Sequence, residues 1–327
     1  MSGEQAGLRA VVLAAGQGTR MRSALPKVMH RIVGRPLVDH VLLAAQAAGV
    51  AEAVVVVGHG REQVEAYLGA TWAAGDVAIA FAHQVEQLGT ADAVRCALEV
   101  LGEADGPVLI LYGDVPNLQG ETLGRLVAAL PAGGLSLLTA VVPDPSGYGR
   151  IVRRAGAVMG IVEDRDCSAT EREICEVNAG VYCVALSFLR EHLRGVTSTN
   201  AAREFYLTDL VAVAAAQGGA QALVVTDAAE VAGVNDRVQL AAAARWAQQR
   251  VNARWMQAGV SMASPETTHI DVDACLAPGV ALGPGVCVLG RSRLGAGVVV
   301  GANAVLEDVV LEPGEVVAPL SLRRPVV

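Results

Sequence analysis

Lysine is nearly absent from this chain. Lys27 is the single lysine, and every other member of its 25 Lys and Arg residues is arginine. Aromatics are scarce too, at 3% of a sequence that is 53% hydrophobic and built largely from Ala, Val and Leu. A chain short of stacking rings and carrying a formal charge of −8 does not suit nucleic acid, which asks for aromatic platforms and a basic face. An anionic small ligand would instead be met by a few placed cations or by a metal ion. No apolar run nears the roughly 20 residues of a membrane-spanning helix. The opening MSGEQAGLRAVVLAAG lacks the basic start and long apolar stretch of a signal peptide. The cysteines (Cys96, Cys167, Cys175, Cys183, Cys275, Cys287) form no C-x-x-C pair and no zinc-like spacing with histidine. They read as reduced thiols of a cytoplasmic protein. The six histidines are dispersed, and none is assigned a catalytic role.

A length of 327 residues allows two domains. Between Leu8 and about Gln221, apolar runs alternate with amphipathic stretches. Strands are expected over Ala10–Ala14, Ala53–Val57, Pro107–Tyr112 and Leu135–Val142, and helices over Leu37–Ala48, Arg61–Leu68, Ala91–Leu101 and Glu121–Leu130. Short buried strands separated by helices imply an α/β domain with a mostly parallel sheet covered on both faces. Ligands of such sheets bind at the carboxyl ends of the strands. After Pro143 the pattern loosens, and short strands around Ile151, Val158 and Val181 suggest a less regular region lying over the sheet.

The stretch LAAAARWAQQRVNARWMQA then reads as an alanine-rich helix ended by Gly259. From Ile270 the chain divides into hexads whose first position is aliphatic: Ile270, Leu276, Leu282, Val288, Leu294, Val300 and Leu306. A six-residue period is the signature of a parallel β-helix, three hexads to a coil. A glycine-rich tail would not hold that phase. The pattern fails at Glu312, which leaves two to three coils. The expected domains are therefore 1–235, a linking helix over 236–260, and a short β-helix over 261–327.

Gly16 and Gly18 follow the first predicted strand, which suggests a phosphate-binding loop. Neither G-x-G-x-x-G nor G-x-x-x-x-G-K-[ST] fits, since Met21 holds the third position. What remains is a strand, then L-A-A-G-x-G-T-R-M, a spacer, and P-K. Two glycines let backbone N–H groups approach phosphate oxygens, and Arg20 and Lys27 bring charge to the same anion. Lysine offers a compact ammonium on a flexible stem, which arginine's planar fork does not reproduce.

LAAGQGTRMRSALPKVMH resembles the signature of sugar-nucleotide pyrophosphorylases. It is most similar to the bacterial bifunctional family joining N-acetylglucosamine-1-phosphate uridyltransferase to glucosamine-1-phosphate acetyltransferase. The resemblance continues through Gln84 and QLGT (87–90), YGDVP (112–116), GYGRI (147–151), VED (162–164), EVNAG (176–180), EFYLTD (204–209) and GVND (233–236), covering about 8–260 in order. It implies a Rossmann-like nucleotidyltransferase domain, followed by a shortened left-handed β-helix. It further implies transfer of uridylyl from UTP to N-acetylglucosamine 1-phosphate in a cytoplasmic step of cell-wall precursor synthesis.

By the same resemblance, Leu13, Ala14, Ala15 and Gly16 lie against the nucleotide, and Arg20 and Lys27 hold its phosphates. Gln84, Gly89 and Thr90 match the segment that recognises uracil. Asp114 and Asn235 match the ligands of Mg²⁺. Gly149, Glu163 and Asn178 match sugar contacts, with Tyr112 and Gly113 beside them. Taken singly, Asp114 could cap a turn, Glu163 could be a solvated carboxylate and Asn178 could end a strand; the motifs around them carry the assignment. Arg22, Arg150 and Arg165 are read as surface or supporting charges.

The attacking phosphate oxygen is already ionised, so no covalent intermediate or general base is required. The barrier is positioning and charge neutralisation. The hexads lack the acetyl-transfer half's catalytic histidine and its G-A-G-T-x-x-x-N-Y-D-G stretch, so acetyl transfer is not expected; His269 precedes the repeat. The family also implies a homotrimer through the β-helix. A uridyltransferase for glucose 1-phosphate and a non-catalytic nucleotide-binding assembly subunit are the alternative readings.

Overall fold

The computed structural model describes residues 7–73, 75–103 and 105–325. Part of the segment read for a signal peptide, and both outer ends of the expected domains, lie outside the described residues. Contacts divide the chain into two compact units. One holds the described residues up to Met29 together with Leu37–Asp236; the other joins His30–Pro36 to the chain from Arg237 onward.

The first unit is a nine-stranded sheet. Its strands are β1 (Arg9–Leu13), β2 (Glu52–Val57), β3 (Ala78–His83), β4 (Pro107–Tyr112), β5 (Leu135–Val141), β6 (Arg150–Arg154), β7 (Ala157–Val162), β8 (Glu176–Ala185) and β9 (Ala220–Val224). The order is β9-β5-β8-β4-β1-β2-β3, and the β6–β7 hairpin hangs from β8. Parallel pairing links β1 to β2 and β4, β2 to β3, and β5 to β9. Helices α1 (Leu37–Ala47), α2 (Arg61–Thr71), α3 (Thr90–Leu98), α4 (Gly120–Ala128), α5 (Leu186–His192) and α6 (Asp209–Ala216) cover it.

Side chains on successive strand residues point to opposite faces, and the core divides accordingly. Val12, Val55 and Leu111 pack with Val41, Leu68 and Leu123 of α1, α2 and α4. Val11, Val54 and Ile110 pack with Val94, Leu189 and Val211 of α3, α5 and α6. Each such buried aliphatic contributes about 1.5–3 kcal/mol. The α/β layering expected from the sequence is present, with one correction. Val181 does not lie in an irregular layer over the sheet. It belongs to the ten-residue strand β8, which runs antiparallel between β4 and β5. Val181, Tyr182 and Cys183 are all but fully buried there, so this strand needs a place inside the sheet.

The second unit opens with α7 (Arg237–Gln257) and continues as a short left-handed parallel β-helix. Its three faces stack strands at 261–262, 281–282, 299–300 and 316–317; at 269–270, 287–289, 305–307 and 322–323; and at 275–276, 293–294 and 310–311. Every hexad-leading aliphatic from Ile270 to Leu306 is buried. The repeat does not end at Glu312. A five-residue segment replaces one hexad, so the core position moves to Leu311 and then Val317, both buried. The shortened corner is held by Ser292, whose Oγ donates to Leu289 O at 2.7 Å and accepts from Val309 N at 3.2 Å. Asp308 takes a left-handed turn (φ 51) there, and its Oδ1 accepts from Arg291 N at 2.8 Å.

That shifted frame is testable. Leu311→Ala should lower β-helix stability by about 2–5 kcal/mol, whereas Glu312→Ala should stay within about 0.5 kcal/mol. Urea unfolding of both variants measures this; equal costs would contradict the frame.

Candidate active site

Strands β1 and β4 lie side by side, but the chain leaves β1 for β2 on one side and reaches β4 on the other. Such a switch point opens a crevice at the carboxyl ends. Leu13, the last residue of β1, accepts from Gly113 N at 2.9 Å, and beyond that bond the two loops part. Between them lies a cleft of about 360 Å³. Leu13, Ala14, Ala15, Gly16, Lys27, Gln84, Gly89, Thr90, Tyr112, Asp114 and Asn235 all line it. Gly113, hydrogen-bonded to Leu13, and Arg20 are not among the residues that line it. Arg20 is exposed on the 3-10 turn Thr19–Met21, which is anchored by buried Met21.

At one wall, Lys27 donates from Nζ to Asp114 Oδ2 and, at 3.2 Å, to Asn235 Oδ1. The lysine sits on a 3-10 turn, Lys27–Met29, fixed by buried Val28 and Met29. Asp114 follows β4, and its carbonyl accepts from Val234 N at 2.8 Å, which brings Asn235 alongside. Gly18 also serves this wall. At φ 60, a Cβ on it would fall 2.6 Å from Lys27 Cβ, so its missing side chain makes room for the lysine stem. Gly16, with nothing near its Cβ position, is the glycine that leaves backbone open to the cleft.

Two oxygens of different chemistry thus converge on one cation. A carboxylate and an amide carbonyl are hard donors suited to Mg²⁺, which keeps several waters and takes further oxygens from phosphates. Among the described residues no cluster of three or more His, Cys, Asp or Glu forms a protein-only metal cage. Asp114 and Asn235 fit a site completed by ligand oxygens.

Gly149, Glu163 and Asn178 form a second group, joined to the cleft through Tyr112. Asn178 N donates to Gly149 O at 2.8 Å, and its side chain bridges Tyr182 OH at 2.7 Å and Gly180 N at 3.0 Å. A register shift in the β8–β5 ladder between Asn178 and Tyr182 turns this stretch out of regular pairing. A Cβ on Gly149 would meet Ile161 Cγ2 at 2.7 Å and lie 3.4 Å from Glu163 Oε2, so a larger residue would have to displace Ile161 beside Glu163. Burial pushes the Glu163 carboxyl up, a trend that Asp166, Asp209 and Glu204 reinforce and the Thr208 hydroxyl at 3.0 Å opposes. Burial, with the Glu163 charge behind it, likewise pushes the Tyr112 phenol far up, so Tyr112 is a neutral hydrogen-bonding group.

Of the two readings of Arg150, surface or supporting charge, the structure shows the second. Arg150 is 2% exposed and donates to Tyr148 O and, at 2.9 Å, to Asp164 Oδ1. It ties the segment carrying Gly149 to the one carrying Glu163.

A model of the MobA-like NTP transferase domain matches residues 10–257. A bifunctional GlmU protein of Sorangium cellulosum is 46% identical over 319 residues, covering 96% of this chain and 67% of that protein. A GlmU protein of Thermus thermophilus is 47% identical over 306 residues, covering 93% and 66%. The chain belongs to this family of nucleotidyltransferases. It spans about two thirds of the length of these curated relatives. A solved structure of a putative glucose-1-phosphate thymidylyltransferase from Bacillus anthracis matches in fold, with a TM-score of 0.58 at 18% identity, over 73% of this chain and 95% of that one.

Around the cleft the structure adds residues that the motifs left unassigned. Gln87 lines the cleft and donates from Nε2 to Ala15 O at 2.7 Å, bracing the loop after β1. Glu204 also lines it, and Thr208 holds Glu163. Both lie in EFYLTD, a segment the sequence singled out without giving its members roles. Thr90 Oγ1 accepts from Leu207 N at 3.0 Å, which ties that segment to the cleft.

The burial of Glu163 has a pH consequence. With its folded-state affinity for a proton raised, the protein favours the neutral form, and stability falls as pH rises above the ordinary carboxyl range near 4.3. Glu163→Gln should therefore melt higher than wild type at pH 7, and the gap should close towards pH 4. Thermal melts across that range check it; a lower melting temperature at pH 7 would contradict the assignment.

Proposed function

We propose that the protein transfers the uridylyl group of UTP to N-acetylglucosamine 1-phosphate, releasing pyrophosphate and UDP-N-acetylglucosamine. The observation that carries this reading is the convergence of Lys27, Asp114 and Asn235 at the mouth of the β1–β4 crevice. The name GlmU shared by its relatives and the order of the family's motifs support the choice of substrates.

In this reading the uridine lies between the loop Leu13–Gly16 and the wall made by Gln84, Gly89 and Thr90. The sugar lies towards Gly149, Glu163 and Asn178, with Tyr112 and Gly113 between the two. A phosphate oxygen of the sugar substrate forms a bond to the α-phosphorus of UTP, and the bond to the β-phosphate oxygen breaks. Mg²⁺, held by Asp114, Asn235 and the phosphates, would supply charge neutralisation. Lys27 and Arg20 supply the remaining positive charge, Lys27 from the cleft wall and Arg20 from the exposed turn. The protein's part is alignment of two anions that repel in water, which needs placed cations rather than a nucleophile.

Exposed Val310, Val316 and Leu322 on the β-helix support the expected homotrimer. Unpaired thiols at all six cysteines accord with the expected cytoplasmic setting. No acetyl transfer is proposed for these residues.

Purified protein should release pyrophosphate only when UTP, N-acetylglucosamine 1-phosphate and Mg²⁺ are all present. Glucose 1-phosphate in place of the amino sugar separates the alternative sugar. Lys27→Arg should lower turnover at least about a hundredfold, the loss typical of removing one placed charge donor. Near-normal turnover in that variant would contradict the role given to the lysine, and no release with any sugar phosphate would favour the non-catalytic reading.

A further inference from the structure

Gln84 leaves the end of β3 with its backbone N–H on Val57 O at 2.9 Å, and its side chain is 6% exposed. Its amide nitrogen donates twice, to Gly89 O at 3.0 Å and to Asp92 Oδ2 at 2.9 Å. Both partners are acceptors only: a peptide carbonyl and a carboxylate have no proton to give. The two amide hydrogens are thus consumed on the protein side. A turned amide would set its own oxygen against two other oxygens and give up both hydrogen bonds. The orientation is therefore fixed, and Oε1 has no hydrogen-bond partner among the described residues in a side chain that lines the cleft.

We propose that Asp92 is a specificity-determining residue. By holding the nitrogen of Gln84 inward it makes that side chain a pure hydrogen-bond acceptor towards the base. Such a wall selects a ring N–H, as in the uracil imide, over a bare ring nitrogen, as at the same position of cytosine. The proposal rests on the uridylyl reading for the identity of the base, and it adds a residue that touches no substrate. Asp92 lies in the first turn of α3, where a carboxylate is also favoured by the helix dipole, so position and role agree. Gly89 O alone opposes the reversed amide with one oxygen; the Asp92 carboxylate adds a second, charged one.

The test is the ratio of UTP to CTP, read both as binding affinity and as kcat/KM for pyrophosphate release. Asp92→Asn is isosteric, but its amide can present either end, so Gln84 can turn with it. The ratio should fall at least about tenfold in this variant, equivalent to about 1.4 kcal/mol of lost discrimination. Asp92→Ala, which leaves Gly89 O as the one remaining partner, should lower the ratio as well. General damage to the fold would weaken both nucleotides together and leave the ratio unmoved. An unchanged ratio in both variants, or wild-type protein that binds UTP and CTP equally, overturns the proposal. Wild-type protein that binds UTP over CTP, loses that preference in Asp92→Asn and yet releases no pyrophosphate would sink the uridylyl-transfer reading while upholding Asp92.

Discussion

One ammonium group held by two oxygens organises this site. Lys27 reaches Asp114 across 87 positions of sequence and Asn235 across 208, so three distant loops meet at one charge. Each loop needs a different part of the fold to arrive there. Strand β1 delivers the glycine loop and the turn bearing Lys27, β4 delivers Asp114, and the bond from Val234 to Asp114 delivers Asn235. A guanidinium would not fit the same place. The stem of Lys27 lies hard against Gly18, and a planar fork cannot aim one compact charge at both oxygens. A chain that uses arginine at every other basic position departs from that habit where the geometry leaves no alternative.

The sheet topology determines the rest. Parallel strands on the β1–β2–β3 side end in loops that wall one end of the cleft. Antiparallel β8 and its hairpin build the other end, where Gly149, Glu163 and Asn178 gather. Tyr112, at the end of β4, stands between the two groups. Arg150 and Thr208 hold the second group in shape by burying a charge against Asp164 and by bonding Glu163. A buried guanidinium is costly unless paired, and this one is used to lock two segments that must keep their spacing.

Much of this was legible in the sequence because strong local signals coincide with structural necessity. β1, β2 and β4 are central strands buried on both faces, so they read as unbroken apolar runs, and the hexads read as a β-helix because each leading residue meets the core. Where the reading failed, the deciding contact is not local. Strand β3, AIAFAH, is an edge strand with a single buried residue, and its alternating alanines give a weaker signal than the Val- and Leu-rich central strands. Nothing near Val181 in sequence announces insertion between β4 and β5. The missing residue after Leu306 looks like the end of a repeat until Ser292, one coil earlier, is seen to bridge the corner. That Gly18 makes room for a side chain nine positions on is not visible in its spacing. For Arg150 the sequence left surface and supporting charge open, and Tyr148 and Asp164 around it decide for the second.

Because Lys27 is the only lysine, it can be observed alone. Protein labelled with ¹³C and ¹⁵N in lysine gives one ε-methylene signal, which reports the ammonium at the centre of this account. It should differ from free lysine in the unliganded protein, move when Asp114 is replaced by Asn, and move again when UTP is added with Mg²⁺. A signal at the free-lysine position, unmoved by either change, would contradict the claim that this ammonium organises the site.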